Sequence, residues 1–236
     1  MRTTRSVTTY ALGVFALAAI LVPGAAANAP ALPASYPAAG ELVATRVAAR
    51  TAPDRSAKVV RLLQQFRGDY RVQIVLALGQ TTGADGAAWF KLNLPMRPNG
   101  TVGWIPAGAA TLKPTRNRIV VHRGLRRIEL LRDGKQLLSA KVAVGAPGRE
   151  TPLGGFYVTA RFVPDDPFLG AFAFETSAYS RLTEWPGGGI VGIHGTSKPW
   201  LLGQAVSHGC VRVSNQTALA LKRLAPVGTP ISIVAR

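Results

Sequence analysis

The chain has 236 residues, with 28 lysines and arginines against 11 aspartates and glutamates, three histidines, one cysteine and a formal charge of +17. One cysteine excludes an internal disulfide and a cysteine-built structural zinc site, while the length leaves room for one large domain or two modest ones. The charge favours anionic partners.

Arg2 and Arg5 precede an apolar run from Tyr10 to Val22, followed by Pro23, Gly24 and the small residues Ala25 to Ala27. A positive start, a short apolar core and a small-residue end make a secretory signal, expected over 1–27 with cleavage after Ala27. The alternative, a retained membrane anchor, needs about 20 apolar residues, more than this run supplies. Removal of the signal leaves 26 basic and 11 acidic residues, a charge of +15. The mature protein is therefore expected in the periplasm or cell wall, where an anionic wall polymer is a better match for that charge than nucleic acid. A lone thiol in an oxidising compartment is a candidate reactive group.

Residues 28–40, rich in alanine and carrying Pro30, Pro33 and Pro37, read as a flexible or extended linker. From 41 to 113 short apolar runs alternate with turn signals at Ala52-Pro53-Asp54, Arg67-Gly68-Asp69, Ala84-Asp85-Gly86 and Asn99-Gly100, the pattern of a small all-β barrel. The motifs Val47-Ala48-Ala49-Arg50-Thr51-Ala52-Pro53, Asp85-Gly86-Ala87-Ala88-Trp89-Phe90 and Asn99-Gly100-Thr101-Val102-Gly103-Trp104 resemble the bacterial SH3-like family. Trp89 and Trp104 are expected to pack in the barrel rather than to serve as ligand platforms. Pro106 to Asn117, with Pro114 inside it, reads as the boundary between two units.

The second unit, 118–236, reads as mostly β. Asp133-Gly134 is a two-residue hairpin turn between strands over Arg126 to Arg132 and Lys135 to Val144. Further strands are expected over Phe156 to Arg161, Ile190 to Ile193 and Pro230 to Val234. Ser214 or Asn215 can cap a short helix ending at Leu224, with Leu221 and Leu224 inward. The run Gly187 to Gly192 imitates a dinucleotide-binding glycine pattern, but it leads into a strand instead of a helix.

Chemistry concentrates between Ile193 and Val213, which contain Cys210, His194 and His208. A thiol with an imidazole that takes its proton is a covalent catalytic pair. If Cys210 to Val213 is extended, Cys210 and Arg212 face one way and the two valines face the core. Arg212 could then grip a carboxylate or lower the thiol pKa. His122, beside the turn at Arg123-Gly124, reads as an ordinary surface histidine.

Over 118–234 the chain resembles the YkuD type of L,D-transpeptidase catalytic domain. The likeness is carried by Thr151-Pro152-Leu153-Gly154-Gly155-Phe156, Gly192-Ile193-His194-Gly195-Thr196 and Ser207-His208-Gly209-Cys210-Val211-Arg212, among others. It implies a β-sandwich-like domain with one or two short helices, acting on peptidoglycan stem peptides. By position Cys210 would be the nucleophile and His194 the general base, oriented by a backbone carbonyl. Ser207, His208 and Gly209 would shape the site or supply oxyanion hydrogen bonds, and Arg212, Gly195 and Thr196 would bind substrate. The implied reaction releases D-alanine from a tetrapeptide and forms a 3-3 cross-link, with no metal or organic cofactor. Two other readings stay open: an L,D-carboxypeptidase with water as acceptor, and a non-catalytic wall-binding protein. The residues give no expectation for oligomeric state.

Overall fold

The computed structural model describes residues 32–184 and 188–236, so the expected signal segment lies outside the described residues. Seven strands form the first sheet: β1 (Ala38–Leu42), β2 (Arg46–Arg50), β3 (Val59–Gln64), β4 (Ile74–Thr82), β5 (Ala88–Asn93), β6 (Val102–Pro106) and β7 (Ala110–Pro114). Their order is β3-β2-β6-β5-β4-β1-β7, with every pairing antiparallel. Alternating inward residues such as Leu42, Val75, Ala77, Phe90, Leu92, Ile105 and Leu112 build its core. Trp89 is buried, and its indole N–H donates to Asp85 at 3.1 Å, so this tryptophan packs inward.

Two stretches differ from the sequence reading. Ala38 to Gly40, read as the end of a linker, belong to β1, and the boundary stretch Pro106 to Asn117 contains β7 paired along β1 from Ala38↔Pro114 to Leu42↔Ala110. Gly40 makes that pairing possible, because a Cβ there would lie 2.0 Å from the Thr111 carbonyl oxygen. Ala38, Ala39 and Gly40 lack the β-branched signature of a strand and Pro114 reads as a break, so the close backbone approach had no local signal.

The second sheet contains β8 (Asn117–His122), β9 (Arg127–Arg132), β10 (Lys135–Lys141), β12 (Gly154–Phe162), β13 (Ala173–Tyr179), β14 (Ile190–His194), β16 (Val211–Arg212) and β17 (Pro230–Val234). Its order is β10-β9-β8-β17-β12-β13-β14-β16, and β11 (Val144–Gly145) pairs separately with β15 (Ala205–Ser207). Asp133 and Gly134 both adopt positive φ at the β9–β10 turn, as a type I′ hairpin demands. Strand β12 pairs with β17 through Gly154–Tyr157 and with β13 from Val158 onward. Ile119, Val121, Ile128 and Leu130 from one side of that junction share a single core with Phe174, Val191, Ile193 and Val211 from the other. The helix α1 (Asn215–Leu224) closes this core with Ala218 and Leu221; Ser214 caps it by accepting the Thr217 N–H. Among the described residues this is the one α-helix, and the protein is mainly β.

The two sheets meet through a small apolar cluster of Ile74, Leu76 and Tyr157, an ion pair between Arg67 and Glu175 at 2.5 Å, and a hydrogen bond from Asn93 to the Gly155 carbonyl.

Candidate active site

The site is set by two short parallel strands, β14 and β16, in which Ile193 lies opposite Val211 and His194 opposite Arg212. Val191, Ile193, Val211 and Val213 are all buried in the core. Alternation therefore turns Gly192, His194, Cys210 and Arg212 to the other face together. The observed strand is shorter than the expected Cys210 to Val213, covering Val211 and Arg212 with Cys210 directly before it. Gly192, read in sequence as part of a motif without a role of its own, adjoins both groups: a Cβ built on it would lie 3.9 Å from Cys210 Sγ and from His194 Cδ2. The Gly192 backbone N–H donates to Cys210 Sγ at 3.3 Å.

Burial dominates the protonation of both groups. It pushes the Cys210 thiol above its ordinary value, against the opposing pull of the Gly192 N–H and the Arg212 charge. It lowers His194 to about 4, so the imidazole is neutral near pH 7. The expectation that Arg212 lowers the thiol pKa therefore holds for its own contribution and fails for the sum. His194 Nδ1 lies 2.6 Å from the Gly195 carbonyl oxygen. A carbonyl only accepts, so Nδ1 carries the proton and Nε2 is the unprotonated nitrogen of the neutral ring, while a second backbone contact, from Leu169, also favours the charged form.

The loop before Cys210 is held from behind. Ser207 is fully buried; its Oγ donates to the Cys210 carbonyl at 2.6 Å and accepts the Gly209 N–H at 3.1 Å. These hydrogen bonds hold the shape of the loop that carries Cys210. Thr151 Oγ1 donates to the Gly209 carbonyl and accepts the Gly145 N–H, both at 2.9 Å, tying the Thr151-Pro152 motif to the same loop. Gly209 has φ +122, and a Cβ there would lie 2.8 Å from the Ser180 Cβ, so this position requires glycine. His208 is half-buried, and partial burial together with Arg149 and Arg212 keeps its pKa below the ordinary value.

The positions read as substrate-binding make contacts within the protein. Thr196 is buried, its N–H donates to Asn215 Oδ1 at 3.1 Å and its Oγ1 accepts the Lys198 N–H. Gly195 donates its N–H to Phe172, and a Cβ there would lie 2.3 Å from Asn215 Oδ1. Asn215 also accepts the Ala171 N–H at 3.0 Å and so clasps the segment over the site to the His194 loop. Sequence marked this asparagine only as a helix cap. Arg212 is buried, its guanidinium 4.6 Å from the Phe168 ring centroid and its Nε without a protein hydrogen-bond partner. His122 lies outside this constellation, with Nδ1 2.9 Å from the Arg236 carbonyl oxygen and Nε2 3.4 Å from Glu129.

A family model described as the L,D-transpeptidase catalytic domain, YkuD, matches residues 116–233. The YkuD protein of Bacillus licheniformis is 32% identical over 148 residues, covering 59% of this chain and 83% of that protein. Its namesake in Bacillus subtilis is 33% identical over 116 residues, covering 49% and 64% respectively. Among solved structures, an L,D-transpeptidase from Mycobacterium smegmatis is similar at 19% identity, covering 69% of this chain and 91% of that one, with a TM-score of 0.46. The matched segment begins at the junction before β8 and runs into β17, taking in every strand that frames Cys210 and His194, and the chain belongs to the YkuD family of L,D-transpeptidase catalytic domains.

Proposed function

We propose that the protein is an exported peptidoglycan L,D-transpeptidase that forms 3-3 cross-links through an acyl-enzyme on Cys210. The observation that carries this reading is the placement of the thiol and the imidazole together against Gly192, each 3.9 Å from where its Cβ would stand, with His194 Nδ1–H committed to the Gly195 carbonyl. In the resting site both groups are neutral, so proton transfer accompanies attack: His194 Nε2 takes the thiol proton as sulfur bonds to the carbonyl carbon of the third stem residue. The amide bond to the terminal D-alanine then breaks, and the imidazolium returns its proton to the departing amine. The amine of a neighbouring stem attacks the thioester, gives a proton to His194, and leaves an amide in place of the carbon–sulfur bond. The departing thiolate recovers the proton from His194, and the cycle closes.

Export through residues 1–27, and an SH3-like accessory role for the first sheet, complete the proposal. They rest on the signal pattern and on the strand motifs. Peptidoglycan stem peptides are the substrates, and anionic wall polymers are the partners for the basic surface. The test is intact mass after incubation with a tetrapeptide donor. An adduct lacking one alanine on the parent protein and none on Cys210→Ala supports the reading; an adduct that survives Cys210→Ala overturns it.

A further inference from the structure

The loop between β5 and β6 reaches across to the segment behind the site. Arg97 donates through one guanidinium nitrogen to the carbonyls of Ser180 at 3.0 Å, Leu182 at 3.3 Å and Gly188 at 2.9 Å. The same guanidinium lies 4.6 Å from the Tyr179 ring centroid. Asn99 exchanges two hydrogen bonds with the Tyr179 backbone, donating to its carbonyl at 2.7 Å and accepting its N–H at 2.9 Å, as a paired strand would. Tyr179 returns the contact by donating its hydroxyl to the Pro95 carbonyl at 3.2 Å.

What these contacts hold adjoins the reacting loop on both sides. Ser180 stands where a Cβ on Gly209 would fall, directly before Cys210. Its N–H donates to the Gly189 carbonyl at 2.8 Å, and Gly189 leads straight into β14, the strand of Gly192 and His194. A Cβ on Gly189 would lie 2.6 Å from the Arg97 guanidinium, so the backbone approaches this cation as closely as glycine allows. Carbonyl oxygens gathered on one cation repel one another when it is removed, and the backbone that carries them must then rearrange.

We infer that Arg97 and Asn99 are positioning residues for the Cys210 and His194 pair, which makes the first sheet part of the machinery of the site. The inference rests on the acyl-transfer reading above. A sheet that served only as a tether would have no need of three carbonyls gathered on one side chain beside Gly209.

The test uses the whole chain with Arg97→Ala, Arg97→Lys, Asn99→Ala and, as control, Arg55→Ala, whose side chain pairs with Asp85 on the surface of the first sheet. Two quantities are measured: acylation by a tetrapeptide donor per titrated active site, resolved into kcat and KM, and the pH profile of Cys210 alkylation by iodoacetamide. Arg97→Ala is expected to lower kcat about tenfold with KM nearly unchanged, and to move the alkylation profile to higher pH as the Gly192 N–H slackens. Arg97→Lys restores part of both, Asn99→Ala shows a smaller effect in the same direction, and Arg55→Ala matches the parent. A purely structural role would lower the melting temperature and the fraction of titratable sites while leaving the per-site rate and the alkylation profile unchanged, and that result overturns the inference. Alkylation needs no stem peptide. A shifted profile in Arg97→Ala, with a parent protein that never acylates, would therefore retain the positioning role and remove only the acyl-transfer reading.

Discussion

Gly192 donates its backbone N–H to the Cys210 sulfur, and the place where its side chain would stand is 3.9 Å from both that sulfur and the His194 ring. Gly192→Ala tests whether this space is used. The backbone there is not left-handed, and the added methyl would meet Phe174 O at 3.2 Å and the two reactive groups at 3.9 Å. The expected stability loss is about 1 kcal/mol, at the low end of overpacking costs. The expected fall in kcat/KM is about 100-fold, because on the proposed acyl-transfer reading the methyl would crowd the two groups that act on the substrate carbonyl. A variant that folds and keeps parental kcat/KM would show that the space beside Gly192 is not used.

The protonation states predict a pH dependence with two separate signs. His194 is held at about 4 by burial, below its ordinary 6.5. The unfolded chain therefore binds this proton more readily than the folded one, and its contribution to stability is full above pH 6.5 and lost as pH falls toward 4. Two to three pH units correspond to about 3 kcal/mol, an upper bound for a site that relaxes or admits water. Cys210 is raised by burial, so its contribution is present below the ordinary thiol range and is lost as pH rises above it. Melting temperature measured between pH 4 and 7 should fall on the acid side for the parent and fall less for His194→Gln. Equal slopes would mean that His194 is not buried neutral.

Much of this site was legible before folding, and the reason is local. The alternation in Cys210 to Val213 needs only the period of a strand; the Ser214 cap and the Asp133-Gly134 turn need only their own residues. The groups that escaped are those whose meaning is created by another segment. Gly192 is a motif glycine without a role of its own until the residue before β16 places a sulfur beside it. Asn215 is a helix-start residue until Ala171 and Thr196 turn their N–H groups toward it. Strand β7 alternates inward Ala110 and Leu112 with outward Thr111 and Lys113, yet its pairing with β1 depends on the missing side chain of Gly40.

Ser207→Ala separates shaping of the loop from chemistry. The hydroxyl satisfies the Gly209 N–H and the Cys210 carbonyl in a fully buried position. Its removal leaves two buried backbone groups without this partner, at a cost of about 2–3 kcal/mol in urea unfolding. Activity should fall with it, since Cys210 itself belongs to the loosened turn. A loss of stability below about 0.5 kcal/mol would mean that water or a shifted loop satisfies both groups.

The contact between the two sheets predicts how the protein unfolds. Tyr157 is on β12 next to Phe156, and alternation sends Phe156 into the second core while Tyr157 packs against Ile74 and Leu76 of the first sheet. Its hydroxyl donates to the Ile74 carbonyl at 3.2 Å, and burial pushes the phenol well above its ordinary pKa, which keeps that donor proton in place. Tyr157→Phe removes only the hydrogen bond and should cost about 1 kcal/mol. Tyr157→Ala also removes the ring, which should cost about 3–5 kcal/mol. Because that ring is the fully buried centre of the apolar cluster joining the sheets, its loss should divide a single unfolding transition into two, with the first sheet melting first. Unfolding followed by tryptophan fluorescence, in which Trp89 and Trp104 report on the first sheet, would show the division. A Tyr157→Ala protein that still unfolds in one step would place the coupling in the polar contacts of Arg67, Asn93, Arg97 and Asn99 instead.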